Sequence, residues 1–384
     1  MSGQSSGKAG GPVTGMDIDA QSDRRFMARA LELARLGLAT THPNPRVGCV
    51  IVRDGAIIAE GWHERAGGPH AEAHALRNAA MAGTDVRGAT AYVTLEPCSH
   101  HGRTPPCSEA LIAAGIGRVA LAVGDPDPRV SGRGVAQLRA AGIRVDAGVL
   151  AVECAELNEG YLKRLSRGLP LLRLKLAMSL DGRTALASGA SQWLTSEQAR
   201  EDVQHWRAAS AAMLTGAGTV VADDPRMSVR LPGTWRQPLR VVLDRHLQTP
   251  PGARLFEGAQ GVLIFTSSRD AGRRAALEQA GARVIEVPGD ERGRLDLAAV
   301  MRTLAAEGVN EVFAETGARM AGPLLQAGVV DELLLYVAPL LLGPQARPLA
   351  ELPALAALED APRFELHDVA RIGPDLRLRL RPKN

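Results

Sequence analysis

Residues 89–123 read ATAYVTLEPCSHHGRTPPCSEALIAAGIGRVALAV, and this stretch decides the fold of the first half of the chain. The apolar and β-branched residues of Ala89 to Leu95 predict a strand, Cys107 to Ala114 a helix, and Arg118 to Val123 a second strand. Between the first strand and the helix lies a polar, proline-rich loop that carries two thiols. Upstream, Asp23 to Leu36 places Phe26, Met27, Ala30, Leu31, Leu33 and Ala34 at helical spacing, with Ser22 or Asp23 as N-cap. THPNPR then breaks the chain with two prolines. Val47 to Val52 and Ala56 to Ala59, joined by Arg53-Asp54-Gly55, predict a hairpin with a tight Asp-Gly turn. A helix is expected from His70 to about Ala82, and a helix and short strand between Gly134 and Gly148. Strands alternating with helices specify an α/β layer architecture.

Helix-like residues from Val152 to Arg167 lead to a seam at Gly168-Leu169-Pro170, beyond which a second alternation begins. Strands are expected at Leu171–Met178, Ala212–Thr215, Leu239–Leu243, Gly261–Thr266, Ala282–Val287, Val309–Ala314, Glu332–Ala338 and Asp375–Leu380. The expected division is a mobile Gly/Ser-rich tail at 1–20, a first domain at 21–166 and a second at 167–384, with no repeat between the halves.

Composition excludes several classes. The chain has 384 residues, 45% hydrophobic and 23% charged, enough for two or three well-packed domains at about 150 residues each. Its 45 Lys+Arg balance 42 Asp+Glu without a run of one sign, so no electrostatic grip on nucleic acid is offered. Twelve aromatic residues are poor material for stacking bases. The longest apolar run, Leu333 to Leu342, contains Pro339 and falls short of the roughly 20 residues a spanning helix needs. The first twenty residues lack the apolar core of a secretory signal, so a cytoplasmic location is expected. Four cysteines, at 49, 98, 107 and 154, then read as reduced, buried or metal-bound thiols rather than a disulfide scaffold.

His70-Ala71-Glu72 opens a helix, and Cys98 and Cys107 follow downstream. Zinc takes imidazole nitrogen and thiolate sulfur, and a catalytic zinc keeps three protein ligands and one water. His70, Cys98 and Cys107 supply that set, their two thiolates cancelling the 2+ charge while the metal lowers the pKa of the attacking water. Two residues from His70 at a helix start, Glu72 points another way and is read as the proton carrier from that water to the leaving nitrogen. A lone His-x-Glu arises often by chance, and two cytosolic cysteines are more often buried hydrophobes. All of them together, in this order, match the zinc-deaminase signature. Cys49 and Cys154 lack such a context and read as core.

The spacing departs from the usual Cys-x-x-Cys. The inserted loop carries His100, His101 and Arg103, suited to a phosphorylated ligand. The run LEPCSHHGRTPPC, with HPNPRVGCVIV and PHAEAHAL upstream, resembles the deaminase half of the bifunctional riboflavin-biosynthesis deaminase/reductase family. The resemblance implies a cytidine-deaminase-like three-layer domain. Its activity would be hydrolytic deamination of 2,5-diamino-6-(5-phospho-ribosylamino)pyrimidin-4(3H)-one. Asn44, before the first strand, would help hold the pyrimidine or serve only as a turn residue.

In the second half a dinucleotide GxGxxG fingerprint is absent: after Gly216-Ala217-Gly218 the third glycine position holds Val221. The chain has only four lysines against 41 arginines, so Lys175 inside a strand suggests a site that wants a compact ammonium, or a partner for a buried carboxylate. LKLAMSLDGRTA, SGASQWLTSEQAR, TGAGTVVADDPRMSVR and AETGARMAGPLLQAGVVDELLLYVAPLLLG resemble the reductase half of the same family. That implies a dihydrofolate-reductase-like α/β domain in which NADPH reduces the opened ribosyl chain to a ribitylamino product. Carried over, Ala177, Trp193, Thr219 and Asp223 would contact NADPH, and Gly317, Ala318, Arg319, Met320, Ala321, Gly322 and Pro323 would wrap its pyrophosphate. Arg245 would meet the 2′-phosphate or be a solvated loop residue. Ser191, Arg207, Met227, Arg230 and Glu315 would contact substrate, and Lys175, Asp223 and Glu315 would form the polar catalytic cluster.

The expected reading is therefore an enzyme with Zn2+ and NADPH as cofactors, phosphorylated pyrimidine substrates, no nucleic-acid or membrane partner, and a homo-oligomeric state implied by the resemblance. A nucleic-acid-editing zinc deaminase with an accessory domain is the alternative; the sparse aromatics and the long thiol-to-thiol loop oppose it. A purely structural zinc module would want a fourth ligand, from His100 or His101, and would leave Glu72 unexplained.

Overall fold

The computed structural model describes residues 15–100, 105–258, 261–289 and 294–383. The chain divides into two compact units, one holding the residues up to Gly37 together with Arg46–Asn158, the other Leu38–Pro45 together with Glu159 onward.

In the first unit α1 (Gly15–Arg35) precedes the hairpin β1 (Gly48–Arg53) and β2 (Ala56–Trp62), followed by α2 (Ala71–Met81), β3 (Thr90–Leu95), α3 (Cys107–Ala113), β4 (Arg118–Val123), α4 (Arg133–Ala140), β5 (Arg144–Ala147) and α5 (Ala151–Leu157). The sheet order is β2-β1-β3-β4-β5, with β1 antiparallel to both neighbours and β3, β4 and β5 parallel. Asp54 and Gly55 both have positive φ, 51° and 74°, the backbone of a two-residue type I′ turn, so the Asp-Gly signal sets the hairpin register.

Alternate strand residues face opposite layers. Cys49, Ile51, Val93 and Leu121 pack with Ala71, Ala75 and Leu111 of α2 and α3. Val50, Val52, Tyr92 and Ala122 pack with Phe26, Met27 and Leu31 of α1 and Cys154 of α5. Three layers result, and Cys49 and Cys154 are both core residues. Close approach is built in at two glycines: a Cβ on Gly48 would lie 1.9 Å from Ala30 O, and one on Gly61 2.3 Å from Ala75 N. At one end of the sheet Arg118 grips Asp23 of α1 (2.6 and 2.8 Å) and Asp146 of β5 (2.7 Å), while Tyr92 OH donates to Asp23 (2.7 Å).

The second unit contains α6 (Glu159–Arg167), β6 (Leu171–Ser179), β7 (Arg183–Ala185), α7 (Glu197–Ala209), β8 (Ala212–Gly216), α8 (Ala217–Asp223), β9 (Leu239–Leu243), β10 (Val262–Thr266), α9 (Ala271–Gln279), β11 (Ala282–Glu286), α10 (Leu297–Ala306), β12 (Glu311–Glu315), α11 (Ala318–Gln326), β13 (Glu332–Ala338), β14 (Arg347–Pro348), β15 (Phe364–Ile372) and β16 (Asp375–Pro382). Nine strands form one sheet in the order β11-β10-β9-β8-β12-β6-β13-β16-β15. The seven from β11 to β13 are parallel and the last two join antiparallel. β13 is buried at every position, which accounts for much of the long apolar run as core strand. Because β12 inserts between β8 and β6, the strand order reverses there and leaves a crevice at the carboxyl ends, where α/β sheets take ligands.

Three expectations change. Helix α1 reaches back to Gly15, so the last residues of the stretch read as tail are helical; residues 1–14 lie outside the described residues. The division falls at Asn158/Glu159 rather than 166/167, because α6 bonds to the second unit: Lys163 to Asp331 (2.6 Å) and Arg164 to Asn310 (2.6 Å). Leu38–Pro45 joins that unit too, where Asn310 Nδ2 donates to Pro43 O (2.9 Å). Strands β7, β14 and β15 were not expected. Among the described residues no helix is long and apolar enough to cross a membrane.

Candidate functional site

His70 caps α2 in an extended conformation, and Glu72 lies in the first helical turn. Strand β3 runs out through Glu96 and Pro97 to Cys98, while Cys107 begins α3. The four residues come from three separate points of the chain, brought to one end of the sheet by β3 and the two helices. His70 Nδ1 lies 3.5 Å from Cys98 Sγ and 3.4 Å from Cys107 Sγ, and the three donor atoms fall within 4.8 Å of one another. Ligand atoms around a tetrahedral zinc stand about 3.5–3.8 Å apart, so the set fits that ion with one position left open. Hydrogen bonding between the two thiols, against the cost of burial at Cys98, draws the Cys98 thiol down, and the same bond together with burial pushes the Cys107 thiol up. Glu72 is only 3% exposed, and burial pushes its carboxyl above the usual range despite the pull of His70.

His63, which sequence reading passed over, is buried and meets the His70 ring edge-on, centroids 5.5 Å apart, its own Nδ1 paired with Pro69 O at 2.8 Å. Asn44 sits half-buried in the Leu38–Pro45 segment, its N–H closing a turn on Thr41 O (2.8 Å). His101 and Arg103 lie outside the described residues.

The crevice of the second unit opens into a cavity of about 2420 Å3, well above the roughly 300–1,000 Å3 that suit one small ligand. Lys175 on β6 and Glu315 on β12 are partners in the parallel register and share one face of the sheet. From α7, Arg207 forms a two-point bond to Glu315 (2.6 and 2.9 Å) and also donates to Ser228 O (3.0 Å). Burial opposes the charge on Glu315, but Arg207 and then Lys175 outweigh it and hold the carboxyl low. Lys175 has no ion pair within 4 Å among the described residues; its Nζ stands over the Tyr336 ring at 5.9 Å. Burial lowers its pKa, Glu315 opposing and Arg207 assisting. Arg230 makes no ion pair among the described residues, and desolvation first, then the Arg207 charge, weigh against its cation. That leaves it suited to an arriving anion.

Around this cluster the cavity wall collects most of the remaining expected residues. Ala177, Thr219 and Met227 line it, Met227 with a positive φ of 48°. Ser191, Asp223 and Arg245 are exposed on its wall, and Trp193 (68% exposed) carries the Arg200 guanidinium 4.6 Å above its ring. Asp223 ends α8 and has no bond to Lys175 or Glu315. Gly317, Ala318, Arg319, Met320 and Pro323 line the cavity at the start of α11. Ala321 and Gly322 do not: Ala321 is fully buried in the core, and a Cβ on Gly322 would meet Glu351 O at 1.9 Å.

A family model described as the RibD C-terminal domain matches residues 170–378, and one described as the cytidine and deoxycytidylate deaminase zinc-binding region matches residues 20–123. The riboflavin biosynthesis protein RibD of Escherichia coli K12 is 50% identical over 374 residues, which cover 93% of this chain and 99% of that protein. Among solved structures, Acinetobacter baumannii RibD superposes with a TM-score of 0.87 at 44% identity, covering 95% of this chain and all of the other. The Thermotoga maritima diaminohydroxyphosphoribosylaminopyrimidine deaminase/5-amino-6-(5-phosphoribosylamino)uracil reductase does so at 0.84 and 35% identity, over the same shares.

Proposed function

Since the chain belongs to the RibD family of riboflavin-biosynthesis proteins, we propose that the residues gathered at its two sites perform that family's two reactions in the roles given below. The protein is a bifunctional enzyme, a zinc-dependent deaminase followed by an NADPH-dependent reductase, and a nucleic-acid-editing activity is not favoured.

In the first reaction water replaces the amino group of 2,5-diamino-6-(5-phospho-ribosylamino)pyrimidin-4(3H)-one and ammonia leaves. His70, Cys98 and Cys107 would hold zinc, which when bound supplies a Lewis acid that brings water to the nucleophilic state near neutral pH. Glu72 takes the proton from the attacking water and delivers it to the leaving nitrogen, ending the cycle in its starting form. Its burial excludes bulk water from that transfer, and it lies outside the ligand set.

In the second reaction NADPH, when bound, would supply the hydride that reduces the anomeric carbon of the opened ribosyl chain. Arg230 receives the substrate phosphate, while Arg207 fixes the Glu315 carboxylate so that it meets the sugar hydroxyls in one orientation. Lys175 holds the proton that the sugar oxygen takes up, its ammonium made readier to release it by burial. Trp193, Thr219, Asp223, Arg245 and the start of α11 would hold NADPH, and a cavity of this volume accommodates both ligands. We also read the enzyme as a cytoplasmic homo-oligomer, on the family resemblance.

The observation that carries this reading is the convergence of one nitrogen and two sulfurs beside a buried carboxylate outside their set. It is tested by supplying the diaminopyrimidine ribotide and following ammonia release and NADPH oxidation separately. Stripping the metal should abolish the first and spare the second when the deaminated intermediate is given; undiminished ammonia release would refute it.

A further inference from the structure

The Glu96 carboxylate is 5% exposed and lies two residues before Cys98. No Lys or Arg pairs with it among the described residues; its hydrogen-bond donors are backbone amides. Asp125 N–H (3.4 Å) and Gly132 N–H (3.1 Å) donate to Oε2, and Val135 N–H (3.3 Å) donates to Oε1. Its own N–H continues the strand pairing to Val123 O (2.9 Å). Amide donors converging on two positions need an acceptor at each, and a carboxylate is the side chain that provides one at both.

The start of α4 is drawn against the thiol loop by the same contacts. A Cβ on Gly134 would lie 2.0 Å from Pro97 O, so the backbones touch there. The Cys98 carbonyl accepts from Ser108 N–H (3.1 Å) and Ser108 Oγ (3.0 Å), and Ser108 Oγ lies 2.6 Å from Gln137 of α4. Ser99 Oγ donates to Arg129 O in the loop that Glu96 gathers (3.3 Å). Cys98 is thus fixed from both sides by groups that do not touch the metal position.

We propose that Glu96 is a positioning residue of the metal centre: by collecting the amides of Asp125, Gly132 and Val135 it locks the Pro97-Cys98 turn, and so sets how tightly zinc is held. This rests on the reading of Cys98 as a zinc ligand. Groups that orient metal ligands typically govern affinity by about 10–100-fold.

The test uses the full zinc-loaded chain and measures zinc release to a chromogenic chelator, with NADPH-dependent reduction of the deaminated intermediate as a control on folding. Glu96→Gln turns an NH2 toward an amide N–H at one oxygen, and zinc release should quicken by about 10–100-fold while the reductase rate holds. Val135→Pro deletes one of those N–H groups at the first turn of α4, where proline is tolerated. The double variant Glu96→Gln/Val135→Pro lets the amide NH2 face the vacated position and should recover most of the slow release, a coupling that general loosening would not produce. Release from Glu96→Gln at the unaltered rate, or a double variant no slower than the single, overturns the proposal. Cys98→Ser separates the two readings: if it keeps zinc, the ligand assignment itself falls, and if it loses zinc while Glu96→Gln does not, only Glu96 is removed.

Discussion

At the scale of single residues, Glu72 and Arg207 sit where loss of one group separates binding from chemistry. Glu72→Gln preserves the shape of the deaminase site and the three metal donors but cannot shuttle a proton. Zinc content by elemental analysis should match the unaltered chain, ammonia release should fall by at least about 10²-fold, and NADPH oxidation should be untouched. In the other cavity the two arginines should fail differently. Arg230→Ala removes a cation that has no ion pair among the described residues and should raise KM for the phosphorylated substrate with kcat little changed. Arg207→Ala strips a half-buried carboxylate of its partner and should lower kcat as well, by about 10²-fold or more in kcat/KM. Deamination should be indifferent to both. The convergence of His70, Cys98 and Cys107 was legible because donor types, spacing and a helix start lie in short motifs. The Arg207–Glu315 bond was not, since it joins residues 108 apart that only the parallel register of β12 brings beside α7. Arg207 lines the cavity as expected, but its fork is already engaged by Glu315.

Elements place those residues through close contacts that tolerate no added atom. Helix α2 rides on β2 at Gly61, where a new Cβ would lie 2.3 Å from Ala75 N and 2.7 Å from Ala71 O, both backbone atoms that cannot swing aside. Gly61→Ala should therefore cost about 1–3 kcal/mol of stability in denaturant unfolding. It should also weaken zinc retention, because the displaced helix carries His70 at its cap. Most elements were readable from period and turn chemistry: the Asp54-Gly55 hairpin, the helix opening at Cys107, the parallel strands of the second unit. Strand β15 escaped because residues of both its faces are largely exposed, so its side chains carry little of the alternation that marks a half-buried strand. Strands β7 and β14 are only three and two residues long and leave no pattern.

For the whole molecule, acid stability reads out how charge is stored in the second unit. Burial pushes the Glu332 carboxyl up, but Arg173 and then Arg379 outweigh it and hold it at about 2, against 4.5 when unperturbed. A carboxyl depressed by folding adds stability that is complete above the unfolded value and disappears as pH falls through the folded one. The gap in melting temperature between the unaltered chain and Glu332→Gln should be widest near neutrality and close between about pH 4.5 and 2. A gap that persists at pH 2 would show that shape, not charge, accounts for it. Two α/β halves were legible in the sequence, from alternation and the seam at 168–170. Their true margin was not, because α6 looks like a continuation of α5 until its partners Asp331 and Asn310 are known.

The stretch Leu38–Pro45 lies between two segments of the first unit in the chain yet belongs with the second. Scissors applied after Asn158 would therefore carry off the loop whose Pro43 carbonyl satisfies Asn310, leaving the reductive portion with an orphaned amide at the foot of β12. The chain therefore passes from one unit to the other more than once. Dissecting the units into independently useful proteins calls for a graft of that short peptide and not merely a cut.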